Sequence, residues 1–204
     1  MQRFFSYVGC LVIAGILMGG CALTKDAVSI SYDPQKDVAK IEGAEEVNVS
    51  VEVTDIRAIK DKVSAKKNGY GMEMAPIVAE NDVAKVFEQA IKTELKARGF
   101  NSGDAVLVVA ELQKFYSDFK IGFWSGTAAA EATMNIQVKK KDGSTVFSKL
   151  VSAEGSNPGC MLASGENAKI ALEDSLKSSV AKLFNDKTFY EAIFLAKMNL
   201  TRRQ

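Results

Sequence analysis

Val83, Phe87, Ile91 and Leu95 recur every four residues in "VAKVFEQAIKTELKARGF", and Val86 and Ala90 widen the stripe they form. A helix with one apolar stripe cannot stand alone in water. It must lay that stripe on another layer, so its neighbours decide the fold. The signals at its ends agree. Asn81 and Asp82 are good N-cap residues, Lys92, Lys96 and Arg98 gather toward the negative end of the dipole, and Gly99 stands where a helix turns out.

The covering layer is a sheet. In "EEVNVSVEVTDIR" (residues 45–57), Val47, Val49, Val51 and Val53 share one face while Asn48, Ser50 and Glu52 share the other, as in a half-buried strand. "AVSISYDP" (27–34) alternates in the same way. "AVLVVAELQKFYSDF" (105–119) begins as a continuous apolar run, which suggests a central strand. Residues 127–155 read as two strands about Asp142-Gly143, a strong hairpin signal. Residues 60–74, "KDKVSAKKNGYGMEM", are polar and glycine-interrupted and read as a loop, as do residues 157–165 with Pro158 and two glycines. A second amphipathic helix starts near Glu166, with Ile170, Leu172, Leu176, Val180, Leu183 and Phe184 facing inward, and "TFYEAIFLAKMNL" makes a short third. The order is two strands, helix, three strands, helix, helix. It predicts an α+β two-layer sandwich, with a mainly antiparallel sheet of about five strands and two to three helices packed on one face.

The chain opens differently. Arg3 is followed by an uncharged apolar run from Phe4 to Met18, then Gly19, Gly20 and Cys21. This is the layout of a secretory signal peptide. Phe4 to Gly20 is 17 residues, at the lower limit for a membrane-spanning helix, which is the alternative reading. "LMGGC" resembles the lipobox of bacterial lipoproteins. That resemblance implies that residues 1–20 are removed, that the Cys21 sulfur takes a diacylglycerol, and that the freed amine is acylated with palmitate-type chains. Each buried methylene contributes about 0.8 kcal/mol and one chain anchors only marginally, so two or three chains hold a protein to a bilayer. The domain organisation expected is a leader (1–20), a lipidated tether (21–26) and one periplasmic domain (27–204). Ala22 is not acidic, which resembles the sorting of lipoproteins to the outer membrane.

Four further segments extend the likeness: the helix ending "TELKARGF", the strand "VLVVAELQKFYSDF", the hairpin "MNIQVKKKDGSTVFSK" and the helix "ENAKIALEDSLKSSVAKLFND". In this order they resemble the YajG-like family of bacterial lipoproteins. The likeness implies fold and location and carries no active-site residue.

Composition narrows the chemistry. There are 26 Lys+Arg against 25 Asp+Glu, and loss of Arg3 with the leader leaves 25 of each. A balanced surface does not suggest a nucleic-acid partner. Histidine is absent, which removes the commonest general base and the commonest metal ligand. No cofactor or metal site is expected. With Cys10 in the leader and Cys21 lipidated, Cys160 is the only free thiol and reads as a small buried hydrophobe. Ser64–Lys67 and Ser179–Lys182 have the serine–lysine spacing of penicillin-interacting enzymes without the companion motifs. Glu111, Asp118 and Glu131 show no spacing that singles out a catalytic pair.

The stretch "KFYSDFKIGFWSG" (114–126) is the most informative for function, with Phe115, Tyr116, Phe119, Phe123 and Trp124 within ten residues. Alternation assigns Phe115 and Phe119 to the core. Tyr116, Phe123 and Trp124 are the candidate contacts for a protein or glycan partner. Phe189, Ile193 and Phe194 are assigned to closing the domain's own core, and the lysine-rich loop is a lesser candidate for touching anionic headgroups. The expected function is therefore non-catalytic: a membrane-anchored envelope lipoprotein that binds or scaffolds an envelope complex or cell-wall component. An auxiliary subunit of a lipid or lipopolysaccharide transport system is the alternative, and a peptidoglycan-acting hydrolase a third.

Overall fold

The structure is a computed structural model that describes residues 24–120, 122 and 125–201. Cys21, the leader, Phe123 and Trp124 lie outside the described residues.

Among the described residues eight strands form two mixed sheets, and three α-helices complete an α+β sandwich. The larger sheet holds β2 (Asn48–Asp55), β5 (Asn101–Ser102), β6 (Val106–Lys120), β7 (Gly126–Lys140) and β8 (Thr145–Cys160), in the order β5-β2-β6-β7-β8. The smaller sheet is β1 (Asp26–Val28), β4 (Glu73–Ala79) and β3 (Lys62–Lys67), in the order β1-β4-β3. The helices are α1 (Val83–Ala97), α2 (Gly165–Phe184) and α3 (Lys187–Thr201).

The expected helix is α1, and its stripe of Val83, Phe87, Ile91 and Leu95 is buried. The Asp82 side chain caps it by accepting from Lys85 N at 3.3 Å. Gly99, just past its end, has φ 99°, a conformation that costs glycine little. Opposite the stripe, Val49 and Val51 present the buried face of β2, and Val47 just before it is buried too.

On β6 the inward residues are first Val106, Val108, Ala110 and Leu112, then Phe115, Ser117 and Phe119. The switch from even to odd numbers occurs at a bulge: Leu112 pairs with Met134, but Lys114 pairs with the adjacent Thr133. One extra residue reverses which side chains face the core, and it brings both phenylalanines inside as expected. The Phe115 ring meets Phe87 edge-on at 5.2 Å, joining α1 to the sheet. Phe189 and Ile193 of α3 are buried and Phe194 packs partly buried, so that helix closes the core as expected.

The large sheet has five strands and its long ladders are antiparallel, as expected: β6, β7 and β8 pair so, while β2 runs parallel to β6, from Val49↔Val106 to Asp55↔Leu112. β3, β4 and α1 make the crossover that a parallel pair requires. The loop expected at residues 60–74 is the β3–β4 hairpin. Its lysines sit in strands because acidic partners neutralise them: Lys62 with Glu73, Lys66 with Asp26 and Lys67 with Asp118. Val63, Ser64 and Ala65 supply the buried side. The loop expected from residue 157 is in its first part the end of β8. Pro158 is tolerated because β8 is an edge strand, with no outer neighbour waiting for an amide proton.

Candidate functional site

The turn between β3 and β4, the end of β6, the start of β7 and the residues after β8 meet at one end of the sheet. They enclose a cleft of about 250 Å³ lined among others by Lys67, Gly69, Phe119, Lys120, Cys160 and Leu162. Asn68 shapes the turn, its Oδ1 accepting from Tyr70 N and Met72 N, each at 3.0 Å. Cys160 is buried and free, and its thiol lies 3.0 Å from Asn157 O as a hydrogen-bond donor. The expectation of a buried, unpaired cysteine is met.

Met161 and Leu162 line this cleft and are bare, and the β3–β4 turn that supplies Asn68 and Gly69 to the lining also carries the exposed Tyr70 and Met72. Tyr70 is 91% exposed, Met72 58%, Met161 79% and Leu162 74%. Single exposed apolar side chains are ordinary, but four large ones on two segments that meet at one cleft make this end a candidate contact surface. Sequence reading had placed the contact on the aromatic stretch instead. Of its three candidates, Phe123 and Trp124 lie outside the described residues. They occur in the sequence between the cleft-lining Gly122 and Ser125. Tyr116 is half-buried on β6, its hydroxyl donating to Glu73 Oε1 at 3.2 Å. Burial, with the Glu73 carboxylate beside it, pushes the phenol up to about 12.

The groups that suggested catalysis are held by other parts of the fold. Ser64 Oγ donates to Ser117 O at 2.7 Å in the interior, and Ser179 Oγ to Leu176 O at 2.9 Å within α2. Lys67 is paired with Asp118, and Lys182 Nζ donates to Ser152 O. Neither serine touches its lysine. Glu111 accepts from Asn135, Asp118 pairs with Lys67, and Glu131 takes Lys114 at 2.7 Å with Thr133. The Lys114 hydrogen bond holds the Glu131 carboxyl below its ordinary range against a small opposing effect of burial. No two of these carboxylates share a partner. Among the described residues no cluster of histidine, cysteine or acidic side chains has metal-binding geometry, and no helix is long and apolar enough to cross a membrane.

Sequence reading missed two buried charge networks because each ion pair is buried by partners far away in the chain. Glu94 is fully buried on α1 and pairs with Arg98, while Tyr32 Oη donates to its Oε1 at 2.7 Å and Gln35 N at 2.9 Å. The Arg98 guanidinium also lies 4.5 Å from the centre of the Phe184 ring. Burial raises the Tyr32 phenol, and the Glu94 carboxylate adds to the shift. In the second network Arg57 binds both oxygens of Asp55 and donates to Phe115 O at 2.9 Å, tying the end of β2 to β6. A single signal was available for the first network: Glu94 and Arg98 are four apart on one helix.

A second depression, of about 410 Å³ and mainly apolar, runs between residues 30–34 and the outer side of α1, where Ile30, Tyr32 and Pro34 face Val86, Ala90 and Thr93. It is a surface groove. The space between helices and sheet is filled by Phe87, Ile91, Leu112 and Phe115.

A family model described as "Uncharacterized lipoprotein" matches residues 34–193, most of the described domain. The chain belongs to that family, which is of YajG type. Membership implies a bacterial envelope location. Among solved structures, a Xanthomonas campestris protein superposes with a TM-score of 0.54 at 13% identity, over 88% of this chain and 99% of its own. At that identity the likeness shows a shared fold. A minor lipoprotein from Acinetobacter baumannii aligns with a TM-score of 0.37 at 13% identity, over 66% of this chain and 88% of its own. No curated protein matches the sequence.

Proposed function

We propose that this lipoprotein is held in the outer membrane, facing the periplasm, by acyl chains on Cys21, and works as a non-catalytic binding or scaffolding module for an envelope complex or cell-wall component. One observation carries the reading. The groups at hand for chemistry are committed to structural partners, whereas the side chains left bare around the hairpin-end cleft are the large apolar kind that serve as contact anchors. A tether confines the domain to within a few nanometres of the bilayer. A modest contact surface then gains from high effective concentration.

The test has two parts. Mass spectrometry of the native protein should find an N-terminal residue 21 carrying acyl mass; a bare Cys21 or a retained leader would end the anchored reading. Proteins co-purified from detergent-solubilised membranes should be depleted by Leu162→Glu and by Trp124→Ala. An unchanged set would remove this end of the domain as the contact.

The apolar groove beside α1 supports a second reading, an auxiliary role in lipid or lipopolysaccharide transport. Native mass spectrometry should then find a co-purifying lipid that Thr93→Glu, at an exposed position of the groove lining, displaces.

A further inference from the structure

The rim of the hairpin-end cleft and the start of the tether lie side by side. Asp26, the first residue of β1, accepts from Gly165 N at 2.9 Å through Oδ2 and pairs with Lys66 Nζ at 2.8 Å through Oδ1. Gly165 comes three residues after Leu162, and Lys66 comes two residues before Asn68, which opens the β3–β4 turn. Four residues lie between Cys21 and Asp26, a span of five Cα-to-Cα steps. A fully extended chain of that length reaches at most about 18 Å.

The sheet is far longer than that slack. β7 runs from Gly126 beside the cleft to Lys140 at the opposite end, 15 residues, or roughly 45 Å at the rise of a strand. The two ends differ in kind. The near end exposes Tyr70, Met72, Met161 and Leu162, with the exposed Lys25 and Lys120 among them. The far end carries Lys139, Lys140, Lys141 and Asp142 around the β7–β8 turn, where Lys141 pairs with Asp104. An apolar rim with nearby cations suits the interface between acyl chains and anionic headgroups; the charged end suits water.

From this we infer that the domain sits on its own membrane. The rim of Tyr70, Met72, Met161 and Leu162 enters the headgroup region of the bilayer that holds the anchor, and the β7–β8 turn points away into the periplasm. The inference rests on the anchored reading and names the first occupant of the contact surface as lipid. A short tether makes the choice. Its reach is less than half the length of the sheet, so the apolar end is kept at the bilayer surface while the charged end is free to stand off.

Depth measurement tests it. The lipidated protein carrying Cys160→Ala would be given a nitroxide at one of Tyr70→Cys, Leu162→Cys or Asp142→Cys and reconstituted into vesicles of phosphatidylethanolamine and phosphatidylglycerol. Labels at 70 and 162 should collide severalfold more with oxygen, relative to a water-soluble nickel complex, than the label at 142. Adding Met161→Glu should return the label at 70 toward the aqueous ratio without unfolding the domain, because that side chain is exposed. Equal aqueous ratios at all three positions would overturn the inference. So would labels at 70 and 162 that lose access to both reagents, since that signals coverage by protein. Flotation of the same vesicles and the mass of Cys21 keep the two readings apart: a floated, acylated protein with an aqueous rim retains the anchor and loses the docking, whereas a bare Cys21 removes both.

Discussion

Gly155 of β8 lies directly against the backbone of Ser175 in α2. A Cβ placed on the glycine would stand 2.2 Å from Ser175 N and 2.4 Å from Ala171 O. Helix and strand approach this closely because both are trimmed. Ala168, Ala171, Ser175 and Ser179 form a buried row of small side chains, and the serine hydroxyls turn back to bond Leu172 O and Leu176 O. Gly155→Ala must push the helix off the sheet. It should cost about 2 kcal/mol or more, as overpacking of a filled core does. Denaturant unfolding should show a lower midpoint with an unchanged slope.

Glu94 is the most consequential buried charge. Glu94→Ala leaves Arg98 without its partner and removes the acceptor for Tyr32 and Gln35. A loss of about 3–5 kcal/mol is expected. Tyr32→Phe removes one hydrogen bond and leaves the ion pair, so about 1 kcal/mol is expected. A similar cost for both variants would mean that the hydroxyl, and not the ion pair, dominates.

Two neighbouring serines should behave oppositely. Ser64 Oγ bonds Ser117 O, so Ser64→Ala should destabilise by about 1 kcal/mol. Ser117 Oγ is buried and has no hydrogen-bond partner among the described residues, so Ser117→Ala should be neutral or stabilise by about 1 kcal/mol. Thermal unfolding of the two variants side by side decides it.

Acid should loosen the start of the domain. Burial pushes the Asp26 carboxyl up, but hydrogen bonds from Lys66 and Gly165 outweigh it and leave the group below its ordinary 3.8. A carboxyl depressed on folding contributes stability that is present above its unfolded value and lost as pH falls through the folded one. Hydrogen exchange over residues 26–30, corrected for intrinsic rate, should accelerate as pH drops below about 4. Asp26→Asn should show faster exchange already at neutral pH and little further change with acid.

Local pattern carried much of this fold, and distance hid the rest. The α1 stripe, the alternation of β2 and the placement of Phe115 and Phe119 follow from spacing alone, and Cys160 was read as buried from being a lone thiol. The parallel pairing of β2 with β6 does not, since it depends on a crossover 50 residues long that no local period announces. The β3–β4 hairpin was hidden by its lysines, whose acidic partners lie on other strands. Ile170 was assigned inward by its apolarity but is exposed, because the close approach at Gly155 selects small side chains for the inner face of α2. The cleft was illegible for a related reason: Asn68 and Gly69 of the β3–β4 turn come to line one cleft with Met161 and Leu162 only once the two sheets are in place.

Under the proposed anchoring at Cys21, a tug on the acyl chains reaches the first strand at Asp26. Force directed along β1 would shear the rungs from Asp26↔Ile77 to Val28↔Ala79 together rather than unzip them in turn, and the Lys66 and Gly165 contacts would share the load. Such a joint would hold and then break as a unit. Optical tweezers pulling on residue 21 should record one sharp rupture before the core unfolds, where a peeling joint would give a gradual slope.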